Sequence, residues 1–181
     1  MPKPNTPKLN DTQLIILSFA LREDGLASAP DGVKAAAARE REEERSMTAF
    51  ATPGEIVDAF EAALNAKDAA AVGEVFTPDA EFVNIMGMRM RGREGIVSGH
   101  AWAFSGPLRG STVRFDQVDE LPVTQDVTVL HGHCIRERES DAPPQTLPAG
   151  TTVLVFVARR DSDGWHAVAA TNVTEAAPPS G

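Results

Sequence analysis

The chain has 181 residues, 42% of them hydrophobic, and a formal net charge of −9, a length that suits one domain of common size with an appendage. Residues 1–46 carry 7 basic and 8 acidic groups and residues 47–181 carry 10 and 18, so the acidic second part repels a phosphate backbone and nucleic acid is not an expected partner. The single Cys134 excludes an internal disulfide and a multi-cysteine zinc site, and no apolar run approaches the roughly 20 residues that span a bilayer, so no membrane partner is expected either.

Residues 1–8 hold three prolines and two lysines and are expected to be disordered. Asp11-Thr12 reads as the cap of a short amphipathic helix over 10–22, with Leu14, Leu17 and Leu21 on one face. Lys3 and Lys8 before the apolar stretch, and Ala27-Ser28-Ala29 after it, also trace the outline of a secretory signal. Asp11 before the apolar run and Arg22-Glu23-Asp24 directly after it favour the helix, and the cytoplasm is the default location. Gly25–Gly32 breaks the pattern. Val33–Arg45 is alanine-rich and then charged at helical spacings, which reads as a solvated helix or linker over 33–45 rather than a partner-binding helix. Residues 1–46 are therefore an N-terminal extension, 47–174 a domain, and 175–181 a flexible tail.

Within the domain, Thr52-Pro53-Gly54-Glu55 spells a capping box with proline at the first helical position. Ile56, Phe60, Ala63 and Leu64 then form the apolar stripe of a helix reaching about Ala66. Asp68 caps a second, short helix whose Val72, Val75 and Phe76 face inward. Thr77-Pro78-Asp79-Ala80 reads as a turn, Glu81–Met86 as a strand, Gly87 as a turn and Met88–Arg91 as a second short strand. Gly92–Ser105 is a third helix with Ile96, His100 and Phe104 on one face. From Ser111 the period changes to that of strands, over Ser111–Leu121, Asp126–Arg138, Thr151–Arg160 and Trp165–Thr174. Glu139–Gly150 is a loop and Asp161–Gly164 a hairpin turn. Helices followed by long antiparallel strands give an α+β domain.

Five groups of side chains invite a closer reading. His100, on the inward face of the third helix, is either a pocket acid or base or a core histidine bonded to a backbone carbonyl. His131 and His133 share a strand face with Val127, Val129 and Ile135. They are either two ligands of a metal that lacks a third, or ordinary histidines at a pocket or dimer face, and no metal is assigned. Phe82, Met86, Met88 and Met90 are a pocket lining or core packing. Trp165 closes one end of a pocket or shields the sheet. Arg89, Arg91 and Arg93 crowd the hairpin before the third helix and read as a solvated loop.

Ala62-Ala63-Leu64-Asn65-Ala66-Lys67-Asp68, Phe76-Thr77-Pro78-Asp79-Ala80-Glu81-Phe82 and Arg91-Gly92-Arg93-Glu94-Gly95-Ile96 resemble the nuclear transport factor 2-like superfamily. Within it the chain is similar to the SnoaL-like proteins of the SgcJ/EcaC group, as are Gly164-Trp165 and Thr171-Asn172. The resemblance spans about 120 residues. It implies a cone of three helices on a strongly curved mixed, mainly antiparallel sheet, with a pocket at one end and a homodimer formed through the outer sheet face. It implies no single chemistry, because this fold serves many. The segment Phe60–Asn84 also resembles bacterial ketosteroid isomerases. Phe60 stands where those enzymes have an oxyanion-binding tyrosine, and Asn84 where they have an aspartate base. Phe60 cannot donate a hydrogen bond and Asn84 cannot take a proton at neutral pH, so dienolate chemistry of that kind is not expected. The SgcJ/EcaC group often carries an oxidoreductase label. Neither a glycine-rich dinucleotide turn nor a cysteine pair supports it here, and no cofactor is expected.

Two functions follow. One is a small-molecule pocket with acid–base chemistry, of isomerase, cyclase or hydratase type, on an apolar polyketide-like ligand. His100 or His133 moves the proton, and Phe60, Phe82, Asn84, Phe104, Trp165 and Asn172 hold the ligand. The other is a non-catalytic dimerisation or ligand-sensing module.

Overall fold

The computed structural model describes residues 49–175, all within one compact unit that begins at Met47. The expectations for residues 1–46 and for the tail after Glu175 lie outside the described residues. In chain order the elements are α1 (Gly54–Ala66), α2 (Ala69–Glu74), β1 (Phe76–Val83), β2 (Arg89–Arg91), α3 (Gly92–Ser105), β3 (Ser111–Pro122), β4 (Val127–Arg138), β5 (Gly150–Arg160) and β6 (Trp165–Thr174). Among the described residues no helix is long and apolar enough to cross a membrane.

The local signals act mostly as their chemistry dictates. Asp68 caps α2, its carboxylate accepting from the Ala71 N–H at 3.0 Å. The capping box at α1 forms only in part. Pro53 already has helical angles, no side chain caps the first turn, and Glu55 instead accepts from the Ala51 N–H at 2.9 Å. Lys67 ends α1 in the left-handed conformation, with φ at 56°, and its ammonium donates to the Leu64 carbonyl and across to the Ser111 carbonyl.

One strand boundary needs correction. Thr77-Pro78-Asp79-Ala80 is not a turn ahead of the first strand; β1 starts at Phe76 and runs through it. Phe76 pairs with Ala167 and the next pair is Glu81 with Ala169, so residues 77–80 bulge away from β6. A bulge accepts a proline because no ladder bond is asked of its missing N–H.

The six strands form one sheet in the order β2-β1-β6-β5-β4-β3, with β1 and β6 parallel and all other neighbours antiparallel. The expected α+β class and mainly antiparallel curved sheet are therefore present. Alternation sorts β4 and β5 into two faces. Thr128, Leu130, Gly132 and Cys134 of β4, with Thr152, Leu154, Phe156 and Ala158 of β5, are buried on the concave face under the helices. The core there is aromatic. Phe60 packs edge-to-face on Phe76 and Phe156, with ring centres 6.1 and 5.2 Å apart, and stacks on Phe82 at 6.1 Å. Curvature has a local cause at Gly132, where an added Cβ would stand 2.6 Å from the Phe115 ring, so only glycine lets β3 fold over β4 this closely.

Candidate functional site

The concave face and the helices enclose a cavity of about 140 Å³. Its wall is mainly apolar, with Phe60, Leu64, Phe82, Met90, Leu108 and Leu154 prominent. Met86 and Trp102 also line it yet are 58% and 54% exposed, so they mark its mouth. Its polar lining residues include His100, Asn84, Asn172, Thr152 and Arg136.

His100 is carried inward by the helical period of α3, one turn after Ile96 and one before Phe104. Its ring lies nearly perpendicular to those of Phe60 and Phe82, with centres 5.9 and 5.1 Å apart. Nδ1 lies 2.8 Å from the Ile96 carbonyl oxygen. A carbonyl only accepts, so Nδ1 carries the proton and the neutral ring presents an unprotonated Nε2. No described residue bonds that nitrogen. Burial holds the imidazole below its ordinary value, outweighing the opposite pull of the Ile96 carbonyl, so the ring is neutral at neutral pH. His100 is thus anchored by Nδ1 to a backbone carbonyl and also lines the cavity.

Asn84 lines the cavity but is partly committed to the chain. Its Oδ1 accepts from the Met86 and Met88 N–H groups, each at 3.0 Å, closing the β1–β2 turn. Only its amide N–H groups remain for a ligand. Asn172, opposite Leu154 in the sheet, has a buried Oδ1 with no partner. Cys134 also lines the cavity, and burial pushes its thiol up to about 11, so it is not a thiolate nucleophile at neutral pH.

Three expected site residues stand elsewhere. His133 lies on the outer sheet face with His131, because Gly132 and Cys134 occupy the concave positions between and beside them. There His133 bonds Asp116 at 2.6 Å and Glu175 at 3.2 Å, and these carboxylates raise its pKa, with Asp116 the larger influence. Phe104 is buried beside His100 at 6.0 Å, behind the cavity wall rather than in it. Trp165 starts β6 and bridges to Phe50, with the Arg160 guanidinium over its ring, so it shields the sheet away from the cavity. Phe60, Phe82, Asn84, His100 and Asn172 are brought together. Of the arginine cluster, Arg89 forks onto Glu81 at the surface, whereas Arg93 donates to the Phe76 carbonyl and ties α3 to β1. Among the described residues no three His, Cys, Asp or Glu side chains are grouped to hold a metal ion.

Sequence reasoning missed the β4 and β5 side of the wall, Cys134, Arg136, Thr152 and Leu154. The signal was the alternation itself, since residues 130, 132, 134 and 136 share one face. Apolar Val127, Val129 and Ile135 on the histidine face drew attention to the wrong side.

A curved, unclosed sheet with helices on its concave face and an apolar cavity between them defines a pocket domain of the nuclear transport factor 2-like, or cystatin-like, fold. The sequence model of the SnoaL-like domain matches residues 57–162. The chain belongs to the SnoaL-like domain family. Solved structures carry the same fold. One is an uncharacterised protein with a cystatin-like fold from Caulobacter vibrioides, at TM-score 0.61 and 19% identity over 68% of this chain and 87% of that one. Another is a nuclear transport factor 2-like protein from Novosphingobium aromaticivorans, at 0.57 and 18% over 84% and 95%. A ketosteroid isomerase-like protein from Erwinia carotovora atroseptica aligns at 0.56 and 12% over 68% and 94%. These likenesses establish fold alone. No curated protein matches the sequence significantly. The SgcJ/EcaC placement rests on the sequence resemblance.

Proposed function

We propose that the domain binds a small apolar molecule in this cavity and that His100 Nε2 is its acid–base group. The observation that carries this is the state of that imidazole. It is anchored at Nδ1, ringed by phenylalanines, and free at the nitrogen whose ring wall borders the cavity. A neutral imidazole in such surroundings accepts a proton from a weakly acidic hydroxyl or carbon acid, then returns it. Isomerase, cyclase and hydratase steps all use that exchange. Asn172 and the amide N–H groups of Asn84 orient the polar end of the ligand. A cytoplasmic location belongs to the same reading, carried by the charges around residues 14–21.

Paired probes test it. Naphthol should bind the wild-type protein roughly tenfold more tightly than naphthalene, the worth of one hydrogen bond in a dry site. His100→Phe should erase that difference while leaving naphthalene bound. Equal binding of the two probes by the wild type would refute the role of Nε2.

A second reading has its own observation. Val129, Val153, Val155 and Val157 are half-buried on the outer sheet face, and no described helix covers them. We propose that this face forms a homodimer, with the domain then serving as a dimerisation or ligand-sensing module. Val155→Lys should convert a dimer to a monomer in sedimentation velocity, and an unchanged dimer would exclude this face.

A further inference from the structure

Among the described residues Arg136 is the one Lys or Arg in the cavity wall. It sits on the concave face of β4, two residues beyond Cys134, and its sheet neighbour on β5 is Gly150. The guanidinium lies over Gly150, where an added Cβ would stand 3.6 Å from a terminal nitrogen, an ordinary contact distance. Nε donates to the Pro148 carbonyl at 3.1 Å. That uses one of five N–H groups, and the four on the terminal nitrogens have no hydrogen-bond partner among the described residues.

Arg89, Arg159 and Arg160 each meet a carboxylate, on Glu81, Asp161 and Asp126, whereas Arg138 donates to the Ala142 and Pro143 carbonyls. Arg136 meets no carboxylate among the described residues, and unlike Arg138 it lines the cavity. Glu61, whose charge reaches neighbouring Cys134, is engaged by the Phe115 N–H at 2.6 Å. Partial burial pushes the Arg136 guanidinium below its ordinary value, against a smaller opposite pull from Cys134. A planar fork whose end-on pair of N–H groups is free, beside an apolar cavity, matches a carboxylate in shape and charge. The deep wall beyond it is apolar: Leu154, Phe82 and Phe60. Leu154 lies four residues from Gly150 along β5, roughly 13 Å at strand spacing, so the charged and apolar ends are well separated.

We infer that the cavity takes an apolar carboxylic acid, its carboxylate held by the free N–H groups of Arg136 and its body lying toward Leu154, Phe82 and Phe60. The inference rests on the pocket reading above and names its ligand class. The carboxylate end stays at Arg136 while the far end approaches His100 and Asn172.

Naphthoate and its neutral counterpart naphthamide separate the two claims, measured by isothermal titration of the full-length chain. The wild type should bind naphthoate roughly 10- to 100-fold more tightly than naphthamide, the worth of a charge-assisted pair. Arg136→Gln should remove that preference, with naphthamide affinity unchanged. Arg136→Lys, which keeps the charge and loses the fork, should fall between. If Arg136 only holds Pro148, Arg136→Gln will weaken both probes equally, and the inference fails. If both probes bind alike in wild type and variant, the pocket reading survives and the carboxylate inference is overturned. Binding of neither probe would overturn both.

Discussion

Replacing His100 by Phe tests whether the imidazole is kept for folding or for its free nitrogen. The ring is 5% exposed and packs on Phe60, Phe82 and Phe104, so a phenyl ring fills nearly the same space. The variant loses the Nδ1 bond to Ile96, worth about 1 kcal/mol. The Ile96 carbonyl keeps its helical partner, the backbone N–H of residue 100. The variant also removes Nε2, which no described residue bonds and which faces the cavity, so its loss leaves no protein group unpaired. Near pH 7.5 the two terms leave a net change within about 1 kcal/mol. Acidification then separates the proteins. Burial holds the folded-state pKa of His100 below 6.5, so the unfolded chain takes up a proton first. Below about pH 6.5 the wild type therefore loses up to about 1.4 kcal/mol of stability per pH unit, until the folded-state value is reached. His133 titrates with the opposite sign, its raised pKa giving stability that is lost as pH rises, but it is present in both proteins and cancels. Urea unfolding near pH 7.5 and near pH 5.5 should show His100→Phe gaining on the wild type in acid. A loss above about 3 kcal/mol at the higher pH, or a difference that does not move with pH, would refute the reasoning.

Phe156→Ala empties the centre of the aromatic core, since its ring is fully buried against Phe60 and Phe76. It should cost about 3–5 kcal/mol in urea unfolding; a loss under about 1 kcal/mol would mean that the cavity wall collapses freely. Cys134, with its thiol pushed up to about 11, should react with iodoacetamide far more slowly than a free cysteine near neutral pH. Saturating naphthol should slow it further, because the thiol lines the same cavity. Rapid, unprotected labelling would place Cys134 outside it.

The fold was legible because its signals are local. Asp68 caps a helix wherever it is followed by Ala69-Ala70-Ala71, and the two-residue period of β4 and β5 reads the same in isolation as in the sheet. The first strand was misread at its start because Pro78 looks like punctuation; only the pairing of Phe76 with Ala167 shows that the chain is already in the sheet. The site was legible on its helical side, where Phe60 and His100 take their direction from α1 and α3. It was not legible on the sheet side. Alternation shows that His133 and Arg136 oppose each other across β4, but which of them faces the cavity depends on where the helices pack. Valines beside the histidines left that face readable as either a pocket or a dimer face. Asn84 does line the cavity, but its commitment to the Met86 and Met88 N–H groups is a tertiary fact that no spacing announces.

The account turns on His100 Nε2 being an unprotonated, ligand-facing nitrogen. A long-range proton–nitrogen correlation spectrum of the histidine side chains, recorded near neutral pH, observes that atom itself. The account predicts a neutral ring with its proton on Nδ1, and an Nε2 resonance that shifts when naphthol saturates the protein and stays in place with naphthalene. A proton on Nε2, or an Nε2 resonance indifferent to bound naphthol, would contradict it.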